Sequence, residues 1–133
     1  MVRATAPGRT QVKILVVDDY ATMRHILRNL LSTIGMTEVE EASDGGEALS
    51  KLRAGKFDLV ISDWNMEPVT GLDLLRQVRS DQALARLPFL MVTAESKTEN
   101  VIAAKQAGVS NYIVKPFNAE TLKTKIAAVM GAA

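Results

Sequence analysis

A chain of 133 residues, 47% hydrophobic and 23% charged, has the size and balance of one globular domain with a sizeable core. Its 16 basic and 15 acidic residues leave a formal charge of +1, which excludes a strongly basic nucleic-acid footprint, and no apolar run approaches the ~20 residues needed to span a bilayer. There are no cysteines and one histidine, His25, so disulfides, thiolate metal centres and a His-rich zinc site are excluded. The basic opening MVRATAPGRTQ lacks the apolar stretch of a secretory signal, which leaves the cytoplasm as the default compartment.

In chain order, residues 1–11 are expected to form a flexible arm, residues 12–130 the domain, and residues 131–133 a frayed end. VKILVV (Val12 to Val17) is a first strand. Met23, Ile26, Leu27, Leu30, Leu31 and Ile34 recur at helical spacing and mark one face of a first helix. TEVEEA (Thr37 to Ala42) is a weaker, more polar strand, and Asp44 with Glu47 has capping-box spacing ahead of Ala48, Leu49 and Leu52. FDLVIS (Phe57 to Ser62) is a third strand, followed by the helical stripe Leu72, Leu75 and Val78. PFLMVT (Pro88 to Thr93) is a fourth, with Ser96 and Glu99 repeating the capping spacing ahead of Val101. NYIV (Asn111 to Val114) is a fifth, and Leu122, Ile126 and Val129 form a last helix with Asn118 as its N-cap.

Continuous apolar runs, rather than alternation, predict strands buried on both faces, as in a parallel sheet. Five repeats of strand then helix predict an open α/β sheet covered on both faces, joined by right-handed crossovers. The pattern ends with the fifth helix, so the domain is expected to act alone or through a separate partner.

In open α/β sheets ligands bind outside the carboxyl ends of the strands. Asp18 and Asp19 follow the first strand, Asp63 the third, and Lys115-Pro116 the fifth, while Thr93 ends the fourth. Each alone has an ordinary reading as a turn, cap or strand end. Together they change the weighing, because three crowded acids repel unless a cation sits among them or one takes a proton. A hard divalent cation such as Mg²⁺ accepts one or two carboxylates plus water and phosphate oxygens. The lysine then supplies the counter-charge for an anion brought with the metal. Such a site suits phosphoryl transfer, where positioning and charge neutralisation dominate and an aspartate can itself form an acyl phosphate.

Four segments then carry a resemblance: ILVVDDYATMRHILRNLL, FDLVISDWNM, LMVTAESKTENVIAAKQAG and YIVKPFNAETLKTKI. In order and spacing, from about Lys13 to Met130, they resemble a response-regulator receiver domain of the stand-alone chemotaxis kind. The resemblance implies a single-domain α/β fold: a doubly wound, five-stranded parallel sheet of flavodoxin-like order 2-1-3-4-5, with five helices. It implies that Asp63 is the phosphoacceptor, without a partner of its own until metal and phosphate arrive. Asp18, Asp19, Asp63 and the main-chain carbonyl of Asn65 are then the Mg²⁺ ligands. Lys115 is implied to pair with the phosphoryl group, Thr93 to swing its hydroxyl towards it, and Tyr112 to follow Thr93. Asn65 and Glu95 flank the pocket where dephosphorylation is tuned. The implied partner face is the fourth helix and fifth strand, with Lys97, Val101, Lys105, Tyr112 and Lys125 as its candidates. The implied donor is a sensor histidine kinase of the chemotaxis type and the implied output partner the flagellar motor switch protein, with a phosphatase or phosphotransfer protein as further candidates. No nucleic acid and no membrane insertion are expected. Such a domain assists its own phosphorylation and dephosphorylation and is not an enzyme acting on a separate substrate.

One stretch departs from the family pattern: Met66 is followed by Glu67 and then Pro68, and Thr70 precedes Gly71. Glu67 is either a solvated loop acid or a further support for the metal through a coordinated water. Smaller expectations are a solvated His25, packing roles for Met23, Met66 and Met91, Trp64 as a reporter beside the acid, and one of Val101 and Ile102 facing outward. Competing functions are a receiver that drains phosphate or relays it in cell-cycle or stress signalling, a binding module without turnover, and a haloacid-dehalogenase-like phosphatase. The phosphatase needs a second acid where Asn65 stands, and the intact set of acids, threonine and lysine opposes the inert module. No GxxxxGK[ST] sequence is present, which excludes a P-loop enzyme.

Overall fold

The computed structural model describes residues 12–66, 69–93 and 98–131, the last range without the side chains of 98–100 and 131. Ten elements alternate: β1 (Ile14–Val17), α1 (Ala21–Thr33), β2 (Val39–Ala42), α2 (Gly45–Ala54), β3 (Leu59–Asp63), α3 (Gly71–Ser80), β4 (Phe89–Thr93), α4 (Thr98–Gln106), β5 (Asn111–Val114) and α5 (Ala119–Gly131). All strand pairings are parallel and the order is β2-β1-β3-β4-β5. The doubly wound fold and its strand order are therefore as the sequence implied.

The continuous apolar runs have a simple cause. Alternate residues of one strand feed two separate cores, so neither face can be polar. Ile14 and Val16 join Leu59, Ile61, Leu90, Val92 and Ile113 under α1 and α5. Leu15 and Val17 join Val60, Phe89 and Met91 under α2 and α3. Strand β2 reads as more polar because it is an edge: only Val39 and Ala42 are buried, and Glu40 and Glu41 lie between them. Those acids take cations, Glu40 from Lys13 at 3.1 Å and Glu41 from Arg24 and Arg28 at 2.9 Å each. Charges of this kind also blunt an exposed sheet edge.

The starts of α2 and α5 agree with their sequence signals, with one change. Asp44 Oδ1 accepts from the Glu47 N–H at 2.8 Å, capping α2. The Glu47 carboxylate, however, reaches back to the backbone N–H and hydroxyl of Ser43, at 2.7 and 2.9 Å, and not to the Asp44 N–H. Asn118 Oδ1 accepts from the Thr121 N–H at 2.8 Å, as an N-cap of α5. Ser96 and the side chain of Glu99 lie outside the described residues. On α1 the buried stripe centres on Leu27 and Leu31, which leaves Ile26 44% exposed. His25 is exposed, and Met66 and Met91 are core residues with Met23 packed against the core.

Gly71 fixes where α3 begins. Its N–H donates to the Trp64 carbonyl at 2.9 Å. A Cβ there would collide with the Asp63 carbonyl, and would lie 2.9 Å from both Met91 Sδ and Trp64 Cα. The close approach leaves no room for a methyl group, so Gly71→Ala is expected to cost about 1–3 kcal/mol of stability, read by urea unfolding.

Candidate functional site

Parallel pairing brings every strand's carboxyl end to one edge. The ladder runs one residue past β1, β3 and β5 and pins the start of the loop that follows each. Asp18 N–H donates to the Ala42 carbonyl at 3.1 Å, Trp64 N–H to Val92 at 2.8 Å, and Lys115 N–H to Thr93 at 2.8 Å. Val17 pairs with Ser62, and Asp63 with Val92, so the ends of β1, β3 and β4 are level. The Lys115–Pro116 peptide bond is cis.

Three carboxylates meet at this edge. Asp18, Asp19 and Asp63 each offer an oxygen within 4.8 Å of the others. Asp18 is 2% and Asp63 5% exposed, whereas Asp19 is open to solvent. Thr93 is buried beside them at the end of β4.

The expectation that Asp63 lacks a partner is corrected. Lys115 Nζ donates to Asp63 Oδ1 at 2.9 Å. The ammonium reaches across from the end of β5, past β4, and pairs with the buried carboxylate at the end of β3. Among the described residues, the buried side-chain atom without a hydrogen-bond partner belongs to Asp18. Its Oδ1 accepts from the Tyr20 N–H at 2.9 Å, but its buried Oδ2 has no hydrogen bond. Burial pushes the Asp18 carboxyl up to about 6; the Tyr20 N–H opposes this, Asp63 raises it further, Lys115 lowers it and Asp19 raises it. A buried carboxylate with an unsatisfied oxygen, clustered with two more carboxylates, makes a donor set of hard oxygens. The cluster can hold a divalent cation, which would satisfy Oδ2 and relieve the repulsion together.

The remaining predicted residues occupy different settings. Asn65 is exposed in the loop after Asp63, and Trp64 is half-buried against the core. Tyr112 is half-buried on β5, with Lys125 Nζ 5.5 Å from the centre of its ring. Lys105 is exposed on α4 and Val101 is half-buried; its neighbour Ile102, at 49% exposure, is the outward one of the pair. Glu67, Glu95 and Lys97 lie outside the described residues.

Sequence reasoning passed over Arg24. Its Nη1 donates to the Asp18 carbonyl at 2.7 Å and its Nε to Glu41 Oε1 at 2.9 Å, while Arg28 Nε takes Glu41 Oε2 at 2.9 Å. Burial raises the Glu41 carboxyl, but the hydrogen bonds from Arg24 and Arg28 outweigh it and hold the group below its ordinary value. One signal was available: a cation in the first turn of a helix, where the dipole disfavours it, asks for a tertiary reason. Arg79 was also passed over. It donates to the Leu87, Gly108 and Ala85 carbonyls at 2.6, 2.8 and 3.2 Å, tying α3 to the segments either side of it in space.

Residues 14–127 match the response regulator receiver domain. The chain belongs to that family, and it is a signalling receiver domain, not a haloacid-dehalogenase-like phosphatase. Within the family it is closely related to the CheY-like chemotaxis regulators. It is 56% identical over 115 residues to chemotaxis protein CheY of Pseudomonas aeruginosa, which covers 86% of this chain and 93% of that protein. It is 54% identical over 115 residues to chemotaxis protein CheY-3 of Vibrio cholerae, covering 86% and 88%. The solved structure of Vibrio cholerae chemotaxis protein CheY4 superposes with a TM-score of 0.85 at 38% identity, covering 90% of this chain and 99% of that one. Among the described residues no helix is long and apolar enough to cross a membrane.

Proposed function

We propose that this receiver is a stand-alone chemotaxis switch, phosphorylated on Asp63 by a sensor histidine kinase in the presence of Mg²⁺, and that the phosphorylated form binds the flagellar motor switch protein. The observation that carries the reading is the Asp63–Lys115 contact of 2.9 Å set beside the orphaned Asp18 Oδ2. A nucleophile, its counter-cation and an unfilled acceptor share one strand edge. The likeness to chemotaxis proteins supports the output.

Asp18, Asp19, Asp63 and the Asn65 main-chain carbonyl would hold the magnesium ion, which when bound neutralises the carboxylates and the oxygens of the donor phosphate. An Asp63 carboxylate oxygen attacks phosphorus. The P–N bond of the kinase phosphohistidine breaks, its electron pair stays on the imidazole nitrogen, and an acyl phosphate forms. Lys115 must then exchange its bond to Asp63 Oδ1 for one to a phosphoryl oxygen, so its ammonium moves with the charge. Thr93, buried at the end of β4, turns its hydroxyl to the same group and Tyr112 moves after it. The surface that reports the change comprises Lys97, Val101 and Lys105 of the α4 region, with Tyr112 and Lys125. Ile102 joins it as the most exposed apolar side chain of that helix.

The reading is tested by measuring affinity for the motor switch protein with and without beryllofluoride, which mimics an aspartyl phosphate. Wild type is expected to bind more tightly by about tenfold or more when loaded, within the usual range of coupling between two states. Thr93→Ala is expected to be phosphorylated but to lose most of that gain, because a switch needs contacts that differ between states. Equal affinity with and without the mimic sinks the output assignment; a normal response in Thr93→Ala removes the threonine from it.

A second expectation concerns the metal. Trp64 is next to Asp63, so its fluorescence should change saturably as Mg²⁺ binds. Because the Asp18 carboxyl is raised to about 6, protons compete for the site below that value. Apparent Mg²⁺ affinity should be level above about pH 7 and fall by up to about tenfold per pH unit below 6. An affinity unchanged down to about pH 5 contradicts a ligand role for Asp18.

A further inference from the structure

We propose that Arg24, clamped by Glu41, is a positioning residue for the metal site: it holds the Asp18 backbone so that Oδ2 faces the cluster. This rests on the metal reading proposed above.

Asp18 lies just beyond the end of β1, where sheet pairing stops. Its N–H is still held by the Ala42 carbonyl of β2. Its carbonyl has left the sheet and is held by Arg24 Nη1 at 2.7 Å. The same guanidinium donates Nε to Glu41, which belongs to the same strand as Ala42. Both ends of the Asp18 peptide are thus referred to β2, one directly and one through Arg24. With Oδ1 tied to the Tyr20 N–H, the free oxygen has little choice of direction.

The chemistry of the pair fits positioning and not charge. A cation one turn into α1 is disfavoured by the helix dipole, and a bare cation near a metal site would repel the metal. Glu41 reduces both objections by offsetting the charge of Arg24, and the more exposed Arg28 fixes the second oxygen of Glu41. The side chains of Arg24 and Glu41 are only 17% and 22% exposed, so the geometry is sheltered from solvent. The role also asks for arginine in particular, since one planar group must donate to two acceptors in fixed directions. Lysine, with a point charge on a flexible stem, can satisfy one acceptor at a time.

The experiment is a Mg²⁺ titration of the full chain by Trp64 fluorescence, with urea unfolding in EDTA as the stability measure. The variants are Arg24→Met, Arg24→Lys and Glu41→Gln, with Asp44→Ala as a control that removes the α2 cap away from the site. Arg24→Met is expected to weaken Mg²⁺ binding about tenfold, as loss of a group that orients a metal ligand commonly does. Arg24→Lys should recover only part of this, and Glu41→Gln should weaken binding with Arg24 still in place. Asp44→Ala should lose stability and keep wild-type affinity. If Arg24→Met destabilises the protein but binds Mg²⁺ as wild type does, Arg24 is only a structural contact and the proposal is overturned. If Arg24→Lys binds as wild type, charge and not the fork matters, which also overturns it. Absence of Mg²⁺ binding in the wild type, checked by calorimetry, overturns the metal reading itself and is distinguishable from either.

Discussion

Asp63→Asn is expected to abolish labelling by acetyl phosphate in the presence of Mg²⁺. The amide keeps the shape of the carboxylate and can still accept from Lys115 Nζ, which now lies 2.9 Å from Asp63 Oδ1. Little should change in the fold. What is lost is the nucleophile, since an amide oxygen is a poor one and cannot give an acyl phosphate. Removing a group that forms the new bond should lower labelling by more than about a thousandfold. Acid-labile label counted after a fixed exposure reads the result. Persistent label in the variant would move the acceptor to Asp18 or Asp19.

Asp18→Asn should act in opposite directions on stability with and without metal. A folded carboxyl raised to about 6 from its ordinary 3.8 means that the folded protein holds a proton which the unfolded chain has already released. Stability therefore falls as pH rises from about 4 to 6 and stays lowered above that. The upper bound on that cost, taken from the shift of 3.8 to about 6, is about 3 kcal/mol near neutral pH. An asparagine carries no charge to bury, and its amide can donate to the neighbouring carboxylates. In EDTA at neutral pH the variant should be more stable than wild type by about 1–3 kcal/mol, and the gap should close towards about pH 4. Added Mg²⁺ should reverse the order, because only the wild type gains stability by binding it. Urea unfolding in the two buffers measures both effects. A variant less stable than wild type in EDTA contradicts the account of Asp18 as a strained acceptor.

Much of the fold was legible because parallel strands announce themselves. Ile14 to Val17 and Phe89 to Val92 feed cores on both sheet faces, which only continuous apolar runs can do. Strand β2 was harder to read, since an edge strand buries only its two ends and gives Glu40 and Glu41 to ion pairs. The stripe on α1 was drawn one residue too wide at Ile26, because spacing alone does not say where a neighbouring helix stops covering a face. The site's acids were legible from their place after each strand. Their pairing was not: order along the chain puts Lys115 at the same edge as Asp63, but only three-dimensional spacing says that the two touch and that Asp18 is left unsatisfied. Arg24 escaped for a similar reason. Its partners are a main-chain carbonyl and a side chain on another element, and neither leaves a mark in the local sequence. On the α4 side, the adjacent pair Val101 and Ile102 required one outward residue, and the turn of the helix makes it Ile102.

The most direct test of the central claim is to locate the phosphoryl group itself. The protein would be phosphorylated with acetyl phosphate and Mg²⁺, then reduced with borohydride, which converts an aspartyl phosphate to homoserine. Peptide mass spectrometry then finds the position. The account predicts homoserine at residue 63, formed only when Mg²⁺ is present and absent from Asp63→Asn. Homoserine at residue 18 or 19, or none at 63 in protein shown by intact mass to be phosphorylated, would contradict it.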